Sequence, residues 1–229
     1  MRLGIVSDIH GNLESLKAVM GAFDSAKVDK VLCLGDMIGY FHQSLEVLDI
    51  MMGKDIETIS GNHEALLLDM LDKGFHPSPV YNLEHVAKDI SDRQIEWIRK
   101  LPDSLRLREG KTLIGLFHGS VEDPANGYVY EDKYDFSRLA DMEFNILLLG
   151  HTHRQMCKVI DRERTVLNPG SCGLPRGGDW KAECLVIEVN SAGNSISFRK
   201  VEYDAVSFLK EAKERGVDAK VVARTGLMP

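Results

Sequence analysis

The sequence predicts an α/β fold built on a mainly parallel sheet. Three observations carry that reading. Short apolar runs alternate with segments of helical periodicity in the first part of the chain, the pattern of βαβ units. The first run is almost continuously apolar, as a strand buried on both faces is. The runs end beside glycines and polar residues, where the chain can turn sharply out of a sheet.

The elements follow in order. Residues 3–7 form the first strand. Asn12 then supplies an N-cap, and Leu13, Leu16, Met20 and Phe23 recur at helical spacing. A second strand over 30–34 ends at Gly35-Asp36, and a helix is expected over 44–52. A third strand over 56–60 ends at Gly61-Asn62-His63, where another helix starts. Residues 73–82 contain Gly74, Pro77 and Pro79 and read as a loop, with Phe75 and His76 expected at the rim of a pocket. Residues 83–100 read as one or two helices, stopped near Pro102. A strand over 112–117 ends at His118-Gly119-Ser120. The loop after it holds Pro124, Asn126 and Gly127, with Tyr128, Tyr130 and Tyr134. These tyrosines either pack on their own domain or stack on a substrate. A strand over 145–149 ends at Gly150-His151-Thr152-His153. Short strands near 156–160, 164–167, 183–189 and 195–203 are expected to be antiparallel, and a last helix spans 204–215. With no repeat and no linker, residues 1–229 read as one domain.

Composition narrows the class. The 229 residues are 44% hydrophobic and 28% charged, an ordinary globular balance that excludes a disordered chain. No apolar run approaches the ~20 residues of a membrane helix. The N-terminus enters its first strand at once and leaves no room for a leader before Asp8. A net charge of −7 argues against a broad basic surface for duplex binding, so nucleic acid is expected only as a substrate. Cys33, Cys157, Cys172 and Cys184 form no CxxC pair, which speaks against structural zinc and fits a reducing cytoplasm. Cys33 reads as a small buried hydrophobe.

The informative feature is what stands at the strand ends: Asp8 and His10, Asp36, Asn62 and His63, His118, then His151 and His153. In open α/β sheets ligands bind at the carboxyl ends of the strands. Asp8/His10 and His151/His153 are i, i+2 pairs, and in extended chain that spacing sends both side chains to one side. Taken singly, each residue has a plain alternative: a structural histidine, a turn aspartate, a capping asparagine. Taken together, they hold five of the eight histidines. That concentration points to a metal site. The donors are all oxygen and nitrogen, which suits manganese, iron, zinc, cobalt or nickel. His42, His76 and His85 match no motif and are expected at the surface.

The set Asp8-Ile9-His10, Gly35-Asp36, Gly61-Asn62-His63-Glu64, His118-Gly119 and Gly150-His151-Thr152-His153 resembles the calcineurin-like metallophosphoesterases in order and spacing over about residues 1–190. Asn168-Pro169-Gly170-Ser171 and Pro175-Arg176 resemble the small bacterial and archaeal phosphodiesterase branch. The resemblance implies a four-layer αββα sandwich of two mixed sheets flanked by helices. It also implies a dinuclear centre of two divalent ions, manganese foremost. Asp8, His10 and His153 would hold one ion, Asn62, His118 and His151 the other, and Asp36 would bridge them. A hydroxide shared by the ions would attack a small phosphoester, foremost a phosphodiester. A phosphomonoester or nucleotide pyrophosphate substrate, or a non-catalytic scaffold, are the other readings.

His63 resembles the family histidine that assists the leaving group; the alternative is a phosphate contact, shared with Asn62. Arg176 reads as a phosphate contact or a surface turn. The chain departs from the protein phosphatase pattern after Gly35-Asp36. The run continues Met37-Ile38-Gly39-Tyr40, with neither the acidic orienter for His63 nor the arginine of that branch.

Overall fold

The structure, a computed structural model, describes residues 1–53, 56–190 and 193–223. Two mixed five-stranded sheets stack face to face. The first has the order β10 (Gly193–Val201), β9 (Ala182–Asn190), β1 (Arg2–Val6), β2 (Lys30–Cys33), β3 (Ile56–Thr58). The second runs β4 (Ser104–Glu109), β5 (Thr112–Phe117), β6 (Ile146–Leu148), β8 (Thr165–Pro169), β7 (Gln155–Val159). Within them β1, β2 and β3 are parallel, as are β5, β6 and β8; β4, β7, β9 and β10 run antiparallel to their neighbours. The helices are α1 (Leu13–Ser25), α2 (Ser44–Gly53), α3 (Asn62–Lys73), α4 (Leu83–Asp89), α5 (Asp92–Arg99), α6 (Ala205–Glu214) and α7 (Ala219–Ala223). This is the α/β sandwich of two mixed sheets flanked by helices that the motifs implied.

Strand alternation builds the core. Ile5, Leu32, Leu34, Ile114, Leu116, Ile146, Leu148, Leu167 and Ile187 meet between the sheets and are buried. Truncating one of these to alanine costs about 2–5 kcal/mol. The opposite face of the first sheet meets the helices, with Val6 and Cys33 against Leu16, Val19 and Phe23 of α1. Gly4 is required there, because a Cβ would lie 2.9 Å from the Phe23 ring. Asn12 caps α1 as expected, its side chain accepting from the Ser15 amide. The outer face of the second sheet packs Leu147, Leu149 and Val166 against Val129, Leu139 and Phe144. That fourth layer is the segment between β5 and β6, whose regular element is a 3-10 turn, Phe136–Leu139.

Several expectations need correction. The strand near 164–167 is β8, and it is parallel to β6 on one side while antiparallel to β7 on the other. Strand β4 was not foreseen, although Leu105 and Leu107 alternate with Arg106 and Arg108 and turn toward the inter-sheet core. Helix α7 was missed as well. Residues 83–100 form two helices, divided at Ser91, which caps α5. The loop 73–82 contains a 3-10 turn, Pro79–Tyr81. No helix among the described residues is long and apolar enough to cross a membrane.

Candidate metal centre

The predicted residues converge at one edge of the sandwich. Asp8 and His10 leave β1, Asp36 leaves β2, and Asn62 and His63 open α3 after β3. From the second sheet, His118 leaves β5, and His151 and His153 leave β6. Three clusters offer ligand atoms within 4.8 Å of one another: Asp8, His10 and His153; His10, Asp36 and His63; and Asp36, His118 and His151.

The backbone there is not extended, as the i, i+2 reading assumed. Asp8, His10, Asp36, His151 and His153 all have φ between 51 and 66°. Left-handed backbone is unfavourable for residues with a Cβ, by roughly 1–2 kcal/mol each. Hydrogen bonds hold it. The β1–β2 pairing continues past both strands, with Asp8 N donating to Gly35 O (3.1 Å), His10 N to Asp36 O (3.0 Å) and Gly11 N to Met37 O (2.9 Å). The segment after β8 buttresses the same loops. Ser171 Oγ and Gly173 N both donate to Asp8 O, and Asn168 Nδ2 donates to Gly150 O. The two sheets are joined where His151 N donates to the Asp8 carboxylate at 3.2 Å.

The histidine rings are oriented by carbonyls. Nδ1 of His10 faces Ile38 O (3.2 Å), Nδ1 of His118 faces Leu34 O (2.7 Å) and Nδ1 of His153 faces Leu174 O (2.7 Å). A carbonyl only accepts, so each Nδ1 carries a proton and Nε2 is the nitrogen that each ring turns to the site. Those Nε2 atoms point at one another and at other acceptors. His10 Nε2 lies 3.0 Å from His153 Nε2, and His118 Nε2 lies 3.0 Å from Asn62 Oδ1 and 3.2 Å from His151 Nδ1. Lone pairs so arranged repel unless a proton or a cation stands between them. The donor set therefore fits divalent metal.

Electrostatics agree. Burial alone would raise Asp8 and Asp36, but surrounding imidazoles, His153 foremost for Asp8 and His118 for Asp36, hold both well below the usual carboxylate range. Burial works against charge on His118 too, and Asp36 and Asp8 overcome it, pushing His118 up to about 10. Burial and the charge on His118 bring His151 down to about 4. Without metal, this edge thus gathers a proton on His118, which metal must displace.

Asp36 sits centrally. Its Oδ1 accepts from the His63 amide (2.9 Å), which leaves Oδ2 facing His10 Nε2 (3.7 Å) and His118 Nε2 (3.4 Å). Glu64 fixes that loop, a role the motif did not reveal. Fully buried, its carboxylate accepts from the amides of Gly61, Asp36, Met37 and Ile38. Burial and the Asp36 charge nevertheless push it up to about 7.

His63 is buried, and its Nδ1 has no hydrogen-bond partner among the described residues, which is how the missing acidic orienter shows itself. Gly39 stands at that nitrogen with φ 89°, and a Cβ there would collide with the ring. Burial lowers the His63 pKa, partly offset by Asp36.

A cavity of about 140 Å³ opens over Asp36, Asn62, His63, His151 and His153, rimmed by Tyr40, Tyr81, Tyr128, Tyr130 and Arg176. The Tyr128 ring lies 4.1 Å from that of His151, while Tyr134 is drawn off to Glu122. Tyr40 and Tyr81 were not foreseen; they pack 5.0 and 4.9 Å from the His63 ring. Phe75 and His76, expected at the rim, are exposed, and Tyr81 takes that place. His42, expected at the surface, is largely enclosed, stacked on Phe208 and 3.3 Å from Glu211; His76 and His85 are exposed.

Residues 1–192 match the calcineurin-like phosphoesterase superfamily domain. The chain belongs to this family and is a metal-dependent phosphoester hydrolase. It is 27% identical to uncharacterized protein MJ0912 of Methanocaldococcus jannaschii over 93% of this chain and 90% of that one. It is 22% identical to phosphodiesterase MJ0936 of the same organism, over 78% and 91%. The fold matches a metallophosphoesterase crystal structure from Sphaerobacter thermophilus with a TM-score of 0.80 at 24% identity, covering 99% and 98%.

Proposed function

We propose that this chain hydrolyses phosphodiester bonds at a centre of two divalent transition-metal ions. The observation that carries the reading is the set of imidazole nitrogens and carboxylate oxygens converging around Asp36. Asp8, His10 and His153 would hold one ion, Asn62, His118 and His151 the other, with Asp36 shared. The mixed imidazole, carboxylate and amide donors suit manganese foremost, then iron, zinc, cobalt or nickel. When bound, the ions would activate a water as nucleophile and supply positive charge for the phosphoryl oxygens.

The chain's own residues do the rest. His63 lines the cavity beside Asp36 and supplies the proton that an alkoxide leaving group needs. An anionic phosphate nearby favours its charged form. Asn62 and Arg176 contact the phosphate. The tyrosine rim favours a diester, because a second ester arm gives the rings something to bind. The likeness to phosphodiesterase MJ0936 supports the same substrate class. All four cysteines are free, in keeping with a reducing cytoplasm.

The test is a metal titration of stripped protein with bis(4-nitrophenyl) phosphate and 4-nitrophenyl phosphate. Turnover should require added Mn²⁺ and favour the diester. Full turnover by stripped protein would overturn the metal mechanism. Preference for the monoester would establish the phosphomonoesterase reading, and inactivity with every metal would leave a scaffold.

A further inference from the structure

The cavity over the metal-candidate residues holds about 140 Å³, roughly the space of five waters. It accommodates a phosphoryl group and little more. Beside it lies a larger groove of about 820 Å³, and Tyr130, Thr152 and Arg176 belong to the walls of both. The two spaces therefore adjoin at these three residues. The groove falls within the roughly 300–1,000 Å³ of a typical small-molecule site.

Tyr128 lines the cavity, Tyr130 lines both spaces, and the groove adds cations. The rings form a ladder leading outward from the centre. Tyr128 lies 4.1 Å from His151, Tyr130 is stacked on Tyr128 at 5.7 Å with planes 8° apart, and Lys133 sits 5.5 Å from the Tyr130 ring. Tyr128 is 57% exposed, an unusual state for a large aromatic at a site mouth. Arg154 directly follows His153, and the Arg176 amide donates to His153 O, so both arginines are anchored at the inner end of the groove. Neither guanidinium has an ion-pair or hydrogen-bond partner among the described residues. Three carboxylates, Glu131, Asp132 and Glu183, share the groove with these cations and lie beside its lysines. Glu183 is turned to Lys200, which also binds Asp179, while Glu131 and Asp132 adjoin Lys133 in the chain. A ligand fitted to these walls carries a planar ring near the reacting phosphate and a second anion one step beyond it.

We propose that the groove binds a second, phosphate-bearing arm of the substrate. The substrate is then a nucleotidyl phosphodiester, with its base on Tyr128 and Tyr130, its reacting phosphate within reach of Arg176 and its next phosphate at Arg154. Every base has a face that stacks on tyrosine, so this mode carries little base preference. The free guanidinium of Arg154 gives the next phosphate charge-assisted, bidentate contacts. The inference rests on the phosphodiesterase reading and sharpens it.

The experiment compares four diesters on Mn²⁺-loaded protein: bis(4-nitrophenyl) phosphate, TpT, pTpTp and (dT)6. The substrate pTpTp is phosphorylated at both ends, so either polarity is covered. Its KM should fall about tenfold or more below that of TpT, the worth of one charge-assisted contact. The advantage should shrink with added NaCl. Arg154→Ala should remove the advantage through KM, and Arg154→Lys should restore part of it. Tyr128→Ala should weaken TpT and pTpTp alike, and Tyr128→Phe should not. A gain complete at pTpTp identifies a dinucleotide, and a further gain with (dT)6 a single strand; both support the subsite. Hydrolysis of bis(4-nitrophenyl) phosphate with equal KM for TpT and pTpTp overturns this inference and leaves the phosphodiesterase reading standing. Inactivity on every diester overturns that reading and the inference with it.

Discussion

Asp8, His10 and His153 form the closed half of the candidate centre, exposed by 0–4% and backed by the loops after β2 and β8. Asn62 and His151 form the open half, each half-buried, with the exposed ring of Tyr128 lying over His151. His118 lies behind them, tied to Leu34 O. Each half offers two imidazoles and a share of Asp36; they differ in the third donor, the Asp8 carboxylate against the Asn62 amide, and in access. A closed half holds its ion by enclosure, because leaving requires loops to move. An open half exchanges its ion with solvent and meets the substrate first.

The largest effect that tests this contrast is metal removal. Exhaustive chelation should abolish turnover, and the ions should leave in two phases, the open half first. Elemental analysis during timed EDTA treatment would show a one-metal plateau. Loss of both ions in a single phase would break the comparison.

Next comes Asp36→Asn. Its Oδ2 faces a histidine from each half, so both halves should lose affinity together. Losing several kcal/mol of charge stabilisation lowers kcat on the order of 10³-fold. Two metals still bound in this variant would contradict the shared role of Asp36.

His63→Ala should separate binding from chemistry. Metal content should stay at the wild-type level while kcat on an alkyl or nucleoside ester falls by about 10²–10⁴-fold. A nitrophenyl ester departs without much help and should lose little. Equal losses on both esters would sink the proton-donor role, and loss of an ion would make His63 a ligand.

The smallest effect belongs to Glu64→Gln. An amide offers one acceptor oxygen where the carboxylate offered two to four amides. Groups that orient ligands typically account for 10–100-fold in affinity or activity, and Glu64 should fall near that range. Calorimetric titration of Mn²⁺, with circular dichroism to confirm folding, reads it out. Unchanged affinity would show that the Asp36 loop holds itself.

The strand ends were legible because their signals are local: a short apolar run, a glycine, then a polar donor. Asp36 and His151 carry that signature in full, Asp8 and His118 follow their apolar runs with the glycine after or further off, and all reach one edge. Glu64 stood inside a motif that was read, but its four amide partners lie partly in another loop, which no local pattern exposes. Tyr40 and Tyr81 were illegible for the same reason, since they meet over His63 only after the segment following β2 packs on the 3-10 turn before α4. Strand β4 was readable from its Leu–Arg alternation and was overlooked, because an edge strand with one wet face lacks the continuous apolar run of a buried one.

By itself, the sequence determined the order of most strands and helices, the residue type at each strand end, and an acidic balance that argues against a broad duplex-binding surface. Periodicity and donor chemistry are properties of neighbouring residues. The tertiary structure decided the rest. It placed β9 between β10 and β1, set β8 parallel to β6, and bent five donor residues into left-handed backbone. It also stacked the sheets so that Asp8 of one meets His151 of the other. These outcomes follow from burying the facing sides of two sheets against each other. Burial acts between residues far apart in the chain, and its result is fixed only when the whole core closes.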